Sequence, residues 1–429
     1  MAYSDRDTQR TSLRHLELFE SVGRLQSFRR AAAECNLSQP AVTLAISRIE
    51  DQLGAALLER RSNGAYLNSL GEIFHRRVTR LFRQIERALT ELGAPDARQI
   101  LSAVAGRLSP SQIQTLFAIV DHGSIANAVE PRGISIAHMH RAAKDLERAL
   151  RLPLFVESAL GTTPSLPTVD FARKLKVALK EVDAGVAEVG IASGKFEGSI
   201  LVGSMLMSGN PALTSVINHF ARKYTDAQVK LFSGSADDML RALRCGQLDF
   251  VLGLVREPAS DDLAIQPLAE TPFHVAAGRE HPLAGASTIT EEALCSQDWV
   301  LASSLPRRNR LNALFPDTRP NIRVETCSLA TIKQLLVGHN YLSPLSSYEL
   351  RQEADSLVAL PYRDTGSPSR IGLTMRRNWS PTPLQGEFID HVGYSVRASL
   401  LESADKFVKF DTHVARKVRD GRKAATNAS

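Results

Sequence analysis

Cysteine is scarce in this chain. Cys35, Cys245, Cys295 and Cys327 lie too far apart for a CxxC pair or a disulfide framework, and they read as reduced packing residues. Long hydrophobic runs are lacking as well: about 18 apolar residues never follow one another, and Met1 to Ser12 is polar where a secretory signal has an apolar core. These absences predict a cytoplasmic protein that does not engage a membrane. Nor does one sign of charge dominate. Lys and Arg number 52 against 46 Asp and Glu, a net charge of +6, so any surface for nucleic acid has to be local. Catalytic signatures are missing too. The chain has no GxSxG elbow, HExxH, Walker loop, GxGxxG after a strand, or Cys/His cluster spaced for zinc, which disfavours an enzyme and calls for no cofactor or metal.

What is present is globular in composition, 43% hydrophobic and 23% charged, and at 429 residues long enough for several cores. An internal repeat organises the first half. The stretch SFRRAAAECNLSQPAVTLAISRIEDQLGAALL from Ser27 aligns without a gap with SIANAVEPRGISIAHMHRAAKDLERALRLPLF from Ser124, an offset of 97 residues. Ser38 falls on Ser135, Glu50 on Glu147 and Leu57 on Leu154. Further on, Phe74, Val78, Leu81, Ile85, Ala88 and Leu92 fall on Phe171, Leu175, Ala178, Val182, Gly185 and Val189. That spacing makes one apolar seam per helix, as in a short coiled coil. Two copies in one register predict helix pairing between subunits, hence a homodimer or homotetramer, over a helix that merely lies on its own domain. Gly185 weakens the second seam, and Gly93 to Pro110 contains the connection between the repeats.

Within the first copy, Leu13, Leu16, Phe19 and Val22 recur at helical spacing, Phe28 to Glu34 is Ala-rich, and Ser38-Gln39-Pro40 opens a third helix. Val42, Ile46, Ile49 and Leu53 form its buried stripe, which leaves Gln39, Thr43 and Ser47 outside. Leu57 to Leu67 reads as two strands around an Asn-Gly turn, a wing beside the helices. A Gln at the start of an exposed helix face suits adenine in the major groove, with Arg48, Arg60 and Arg61 on flanking phosphates. A polar face with arginines is also compatible with plain solvated surface.

The run from Leu13 to Phe74, with Ser27-Phe28, Ala31-Ala32, Leu37-Ser38-Gln39-Pro40-Ala41-Val42-Thr43 and Ile49-Glu50, resembles the winged helix-turn-helix of LysR-type transcriptional regulators. The resemblance implies a DNA-binding domain, a long dimerisation helix corresponding to Gly71 to Leu92, and a two-lobed small-molecule-sensing domain. It also implies that Ser38, Gln39, Pro40 and Thr43 approach bases or adjacent backbone and that Arg60 contacts phosphate at the wing. Leu44 and Ser47 depart from the family, which often has basic residues at both positions. The second copy departs in the opposite sense: Ile136 and Ala137 replace Gln-Pro, while Arg141 and Lys144 stand at the positions of Leu44 and Ser47. His138 and His140 lie on the same side and can donate to phosphate, but Glu157 and Ser158 align with Arg60 and Arg61, and a glutamate there repels the backbone. Two readings stay open: the second copy grips DNA through His138, Arg141 and Lys144, or it is a spacer or protein contact.

From Gly198 the pattern becomes strand and helix alternating, β-α-β-α-β, which predicts a parallel sheet. The segments Leu248 to Gly253 and His281-Pro282-Leu283-Ala284 resemble the effector domain of the same regulators, which is similar to periplasmic binding proteins. In such lobes ligands bind beyond the carboxyl ends of the strands. The expected effector-binding residues are therefore Ser204, Ser208, Ser233, Ser303 and Ser304, with Arg307 or Arg308 as countercharge.

The expected fold class is mixed: two helix-rich winged helix-turn-helix domains with long linker helices, followed by an α/β two-lobed periplasmic-binding-protein-like domain. The boundaries are 13–70 and 108–167 for the winged domains, 71–94 and 168–193 for the linker helices, and 198–400 for the effector domain. Its first lobe takes 198–271 and 345–400, its second 272–344. The composition of 401–429 predicts a basic, disordered tail. The expected partners are double-stranded DNA, a small-molecule effector and RNA polymerase. The competing reading has a sensor lobe that answers to a protein and a second module that is only a spacer.

Overall fold

The computed structural model describes residues 12–61, 64–107, 109–129, 135–158, 161–205, 211–255, 260–302, 305–362 and 368–399. The first part opens with α1 (Leu13–Leu25), α2 (Phe28–Glu34) and α3 (Gln39–Leu53). The hairpin β1 (Leu58–Arg61) and β2 (Gly64–Leu67) and the long α4 (Ser69–Glu91) follow. Side chains at the element ends set these limits. Ser12, Ser27, Ser38 and Asn68 each accept a backbone N–H at a helix start, and Gly54 turns left-handed to end α3. Glu50 reaches back from α3 to accept the N–H groups of Leu57 (2.7 Å) and Leu58 (3.2 Å), fixing where the hairpin departs.

After α5 (Ala97–Arg107) come α6 (Pro110–His122), α7 (Ile125–Val129), α8 (Ile136–Leu150), β3 (Phe155–Ser158), β4 (Gly161–Pro164) and α9 (Leu166–Ala192). The starts of α6 to α9 and of both strands fall 97 residues after those of their counterparts. The caps recur at that offset: Ser109, Ser135 and Ser165 open α6, α8 and α9, and the Ser124 hydroxyl accepts from the Asn127 N–H at 3.1 Å. Glu147 accepts from Leu154 (2.8 Å) and Phe155 (3.1 Å) just as Glu50 does from its strand. The connection between the two runs is itself helical, since α5 buries Ile100 and Val104 in the shared core.

The seams of α4 and α9 meet each other. Phe74, Val78, Leu81, Ile85 and Ala88 share one buried core with Phe171, Leu175, Ala178, Val182 and Val189, so the expectation of a seam partner on another subunit is corrected. Each large aliphatic side chain buried there contributes about 1.5 to 3 kcal/mol, and a tethered partner satisfies the stripe as well as a separate one. The helices run antiparallel, because Arg77 meets Glu188 near one end and Glu91 meets Lys174 near the other. Gly185 does not weaken this packing. A Cβ there would stand 2.8 Å from the Phe74 ring, so the glycine is the space the ring occupies.

The chain folds as two compact units, Met1–Gly198 and Ser199–Ser429. The second unit holds two five-stranded sheets. β5 (Gly198–Ser204), α10 (Pro211–Lys223), β6 (Ala227–Phe232), α11 (Ala236–Arg244), β7 (Phe250–Leu254) and β8 (Leu263–Thr271) begin the first lobe. The second contains β9 (Phe273–Gly278), α12 (Glu291–Cys295), β10 (Asp298–Ala302), α13 (Leu305–Leu314), β11 (Asn321–Thr326), α14 (Leu329–Gly338), β12 (Tyr341–Ser346), α15 (Ser347–Gln352) and β13 (Leu357–Ala359). β14 (Ser369–Arg376) and α16 (383–399) return to the first lobe, where Phe388 packs on Phe220 and Phe250.

Two expectations are corrected here. The first sheet, ordered β6-β5-β7-β14-β8, is mixed and not wholly parallel, because β14 re-enters from the other lobe antiparallel to both β7 and β8. The return to the first lobe comes after β13 and not at residue 345, since β13 pairs with β9 in the second sheet. The predicted tail, 401–429, lies outside the described residues.

Candidate nucleic-acid interface

The α3 face left out of the core is the one the spacing predicts. Val42, Ala45, Ile46 and Ile49 are buried, whereas Ser38, Gln39, Pro40 and Arg48 are exposed and Thr43 and Ser47 half-buried. Ser38 is committed as the cap, its hydroxyl accepting from the Ala41 N–H at 3.4 Å, so it contributes position more than base contact. Leu44, with 54% of its surface exposed, sits among these groups. An apolar side chain so placed offers a surface for a thymine methyl group. His15 on α1 is held below its ordinary value, by burial first and by the Arg48 guanidinium second, which disfavours a second positive charge beside Arg48.

At the wing, Arg61 donates to Glu59 at 2.7 Å and lies over the Tyr66 ring, so part of its charge is already compensated. The side chain of Arg60 lies outside the described residues. Arg29 and Arg30, both exposed in the first turn of α2, were not among the sequence candidates for phosphate contact. Two adjacent arginines at the second and third positions after a capping serine were the available signal. Their counterparts at the same offset are Ala126 and Asn127, so only the first copy has this pair.

On α8, Met139, Ala142, Ala143 and Leu146 face inward. Ile136, Ala137, His138, Arg141 and Lys144 are exposed and His140 half-buried. Arg148 is paired with Asp145 at 2.6 Å, whereas Arg141 and Lys144 occupy the face that Leu44 and Ser47 occupy on α3. Glu157 on β3 accepts from the Thr162 hydroxyl at 2.8 Å, an acid where the first hairpin has Arg60.

In the second unit, Ser204 ends β5 buried and Ser233 follows β6 exposed, on neighbouring strands of one sheet. Ser208, Ser303 and Ser304 lie outside the described residues. Arg307 is corrected as an effector countercharge. It is 2% exposed, donates to the Pro344 carbonyl at 3.0 Å and is paired with Glu349, which is itself 1% exposed. A guanidinium entering a dry core needs its compensating charge inside the protein, and Glu349 supplies it. Arg308 is exposed and paired with Glu325. No group of three or more His, Cys, Asp or Glu poised for a metal occurs among the described residues, and no helix among them is long and apolar enough to cross a membrane.

Comparison with known proteins matches the start of the first unit and most of the second. Residues 193–396 match the LysR substrate binding domain, and residues 13–72 match the bacterial regulatory helix-turn-helix protein, lysR family. The chain is 28% identical over 384 residues to the HTH-type transcriptional regulator GalR of Pseudomonas putida, covering 88% of this chain and 95% of that protein. It is 26% identical over 240 residues to the HTH-type transcriptional regulator TdcA of Escherichia coli, covering 52% of this chain and 73% of that protein. Among solved structures it is similar to HinK, a LysR family transcriptional regulator from Pseudomonas aeruginosa. The identity is 19% and the TM-score 0.40, over 67% of this chain and 97% of that one.

Proposed function

The chain belongs to the LysR family of transcriptional regulators, and from that premise we propose that it carries a second winged helix-turn-helix, α6 to β4, which contacts DNA together with the first. The family part stands without the proposal: this is a DNA-binding regulator with a C-terminal effector-binding domain, not an enzyme. The observation that carries the finer reading is the pair Glu50 and Glu147. Each accepts two backbone N–H groups at the start of its hairpin, 97 residues apart, with a capped helix before it and exposed polar groups on that helix. The same carboxylate orienting the same strand twice argues for two copies of one working module.

In this reading α3 reads bases through Gln39 and Thr43, with Ser47 beside them. Arg48, Arg60 and Arg61 hold phosphates, and Ser38 and Pro40 fix the helix start. On α8, His138, Arg141 and Lys144 grip phosphate. Gln39→Ala is expected to cost about 1 to 3 kcal/mol on the operator and to relax preference at one base position. Fluorescence titration on operator and random duplexes checks this, and equal losses on both remove Gln39 as a base reader.

The module reading is tested by footprinting the purified protein on fragments it selects from genomic DNA, at fixed salt. The double change Arg141→Ala, Lys144→Ala is expected to shorten or weaken the footprint, with the binding slope against salt falling by about 2. An unchanged footprint on a folded protein makes the second module a spacer. For the C-terminal unit, the proposed effector residues are Ser204, Ser208, Ser233, Ser303 and Ser304, and a ligand-dependent rise in melting temperature across a metabolite panel tests them. Contact with RNA polymerase belongs to the same reading and follows from the family role.

A further inference from the structure

We infer that one chain is a complete, internally paired DNA reader, in which α4 and α9 replace a dimer interface and the two recognition helices face two unlike, inverted half-sites. The inference rests on the two-module reading above for its half-sites. Its pairing rests on α4 and α9 alone.

The contacts between the two helices obey an approximate twofold exchange. Moving each residue to its counterpart 97 positions away turns the Arg77 to Glu188 pair into Lys174 to Glu91, and both pairs are present. The exchange turns Gln84 to Glu181 into itself, so this contact, with Nε2 donating to Oε1 at 2.7 Å, lies on the axis. A surface that obeys such an exchange has the form of an isologous dimer interface. Here both halves belong to one chain.

The residues on the axis favour this mixed pair over either like pair. α9 against a second α9 would bring Glu181 against Glu181 in a buried seam, a like-charge contact. α4 against a second α4 would leave Arg77 facing Gln84 and Glu91 in place of Glu181 and Glu188. The mixed pair gives Arg77 both carboxylates, at 2.9 Å to Glu181 in one case, and adds Arg80 to Glu181 at 3.1 Å. Tethering adds to this, because a partner on the same chain presents an effective concentration of roughly millimolar against a second chain at cellular levels. Association of chains through the C-terminal units is compatible with this pairing.

The two heads differ where they would meet bases. Gln39, Thr43 and Leu44 occupy one; on the other, beside the phosphate-gripping His138, Arg141 and Lys144, the exposed Ile136 stands in the place of Gln39 and offers an apolar contact to a base edge. A symmetric dimer demands a palindrome, whereas an internally paired chain with unlike heads demands a non-palindromic site and binds it in one orientation.

Two experiments on the full-length protein test the inference. A short bismaleimide is applied to Gln84→Cys alone and to Gln84→Cys with Glu181→Cys, and peptides are mapped by mass spectrometry. The expected result is an 84 to 181 link within one chain mass for the double variant, and no 84 to 84 link for the single. A link joining two chains at 84 and 181, or at 84 and 84, overturns the inference. The second experiment uses the unaltered protein, so it does not depend on the variants folding. Its selected operator is compared with two symmetrised fragments, each carrying one half-site twice as an inverted repeat. Each symmetrised fragment is expected to bind at least about tenfold more weakly, with one chain spanning the two native half-sites. A palindrome of the α3 half-site bound as tightly as the native operator, with twice the chains, overturns it. An unchanged footprint of the Arg141, Lys144 double variant removes α8 as a DNA contact without touching the cross-link result, so the two failures are told apart.

Discussion

Arg77→Ala is expected to destabilise the N-terminal unit by about 3 to 5 kcal/mol, one of the two largest single losses anticipated for this chain. Arg77 is 3% exposed on α4 and donates to Glu181 and Glu188 on α9, whose side chains are 8% and 9% exposed. Burial works against the guanidinium's charge, but the hydrogen bonds to Glu188 and Glu181 outweigh it and raise its pKa above the ordinary value. Removing Arg77 leaves two carboxylates in the seam. Arg80 and Gln84 still serve Glu181, whereas Arg76 approaches Glu188 only to 4.0 Å, too far for a hydrogen bond. Glu188 therefore bears the larger share of the loss. Denaturant unfolding of the full-length variant checks this, with the N-terminal transition followed by hydrogen exchange in α4. The triple change Arg77→Met, Glu181→Gln, Glu188→Gln should recover most of the loss, because it removes the buried charges together. A loss under about 1 kcal/mol for Arg77→Ala would mean that the seam is open to water.

Arg307→Ala is the second. It should cost the C-terminal unit about 3 to 5 kcal/mol with no effector present, because it strands Glu349 in the core. For a lobe pair of this size that is a fall of roughly 6 to 20 °C in melting temperature. Glu349 also caps α15, accepting from the Ser346 N–H at 3.0 Å and hydroxyl at 2.8 Å, and Ser347 donates to the Pro272 carbonyl where the chain crosses between lobes. The pair thus anchors α13 to the lobe crossing. A variant with an unchanged ligand-free melt and weakened ligand binding would return Arg307 to the role of effector countercharge.

Much of the interface was legible because the relevant interactions are short in sequence. Gln39 is exposed and Ile46 buried by the 3.6-residue period of α3, and Ser38 caps because its hydroxyl meets an N–H three residues on. Arg29 and Arg30 went unread because α2 is only seven residues long, too short for periodicity to assign its faces. Arg307 misled for a different reason. An arginine after a strand looks alike whether its carboxylate comes from a ligand or from Glu349, 42 positions away.

Sequence alone determined the local elements of this regulator and their repetition at 97 residues, since caps, turns and apolar stripes are satisfied by neighbours within a few positions. It also determined that the stripes on α4 and α9 had to be covered. Only the tertiary structure decided what covers them. An apolar seam is non-directional and accepts any complementary helix. The choice came from Arg77, Glu181, Glu188, Gln84 and the space at Gly185, groups whose fit exists only once the two helices lie antiparallel in one chain.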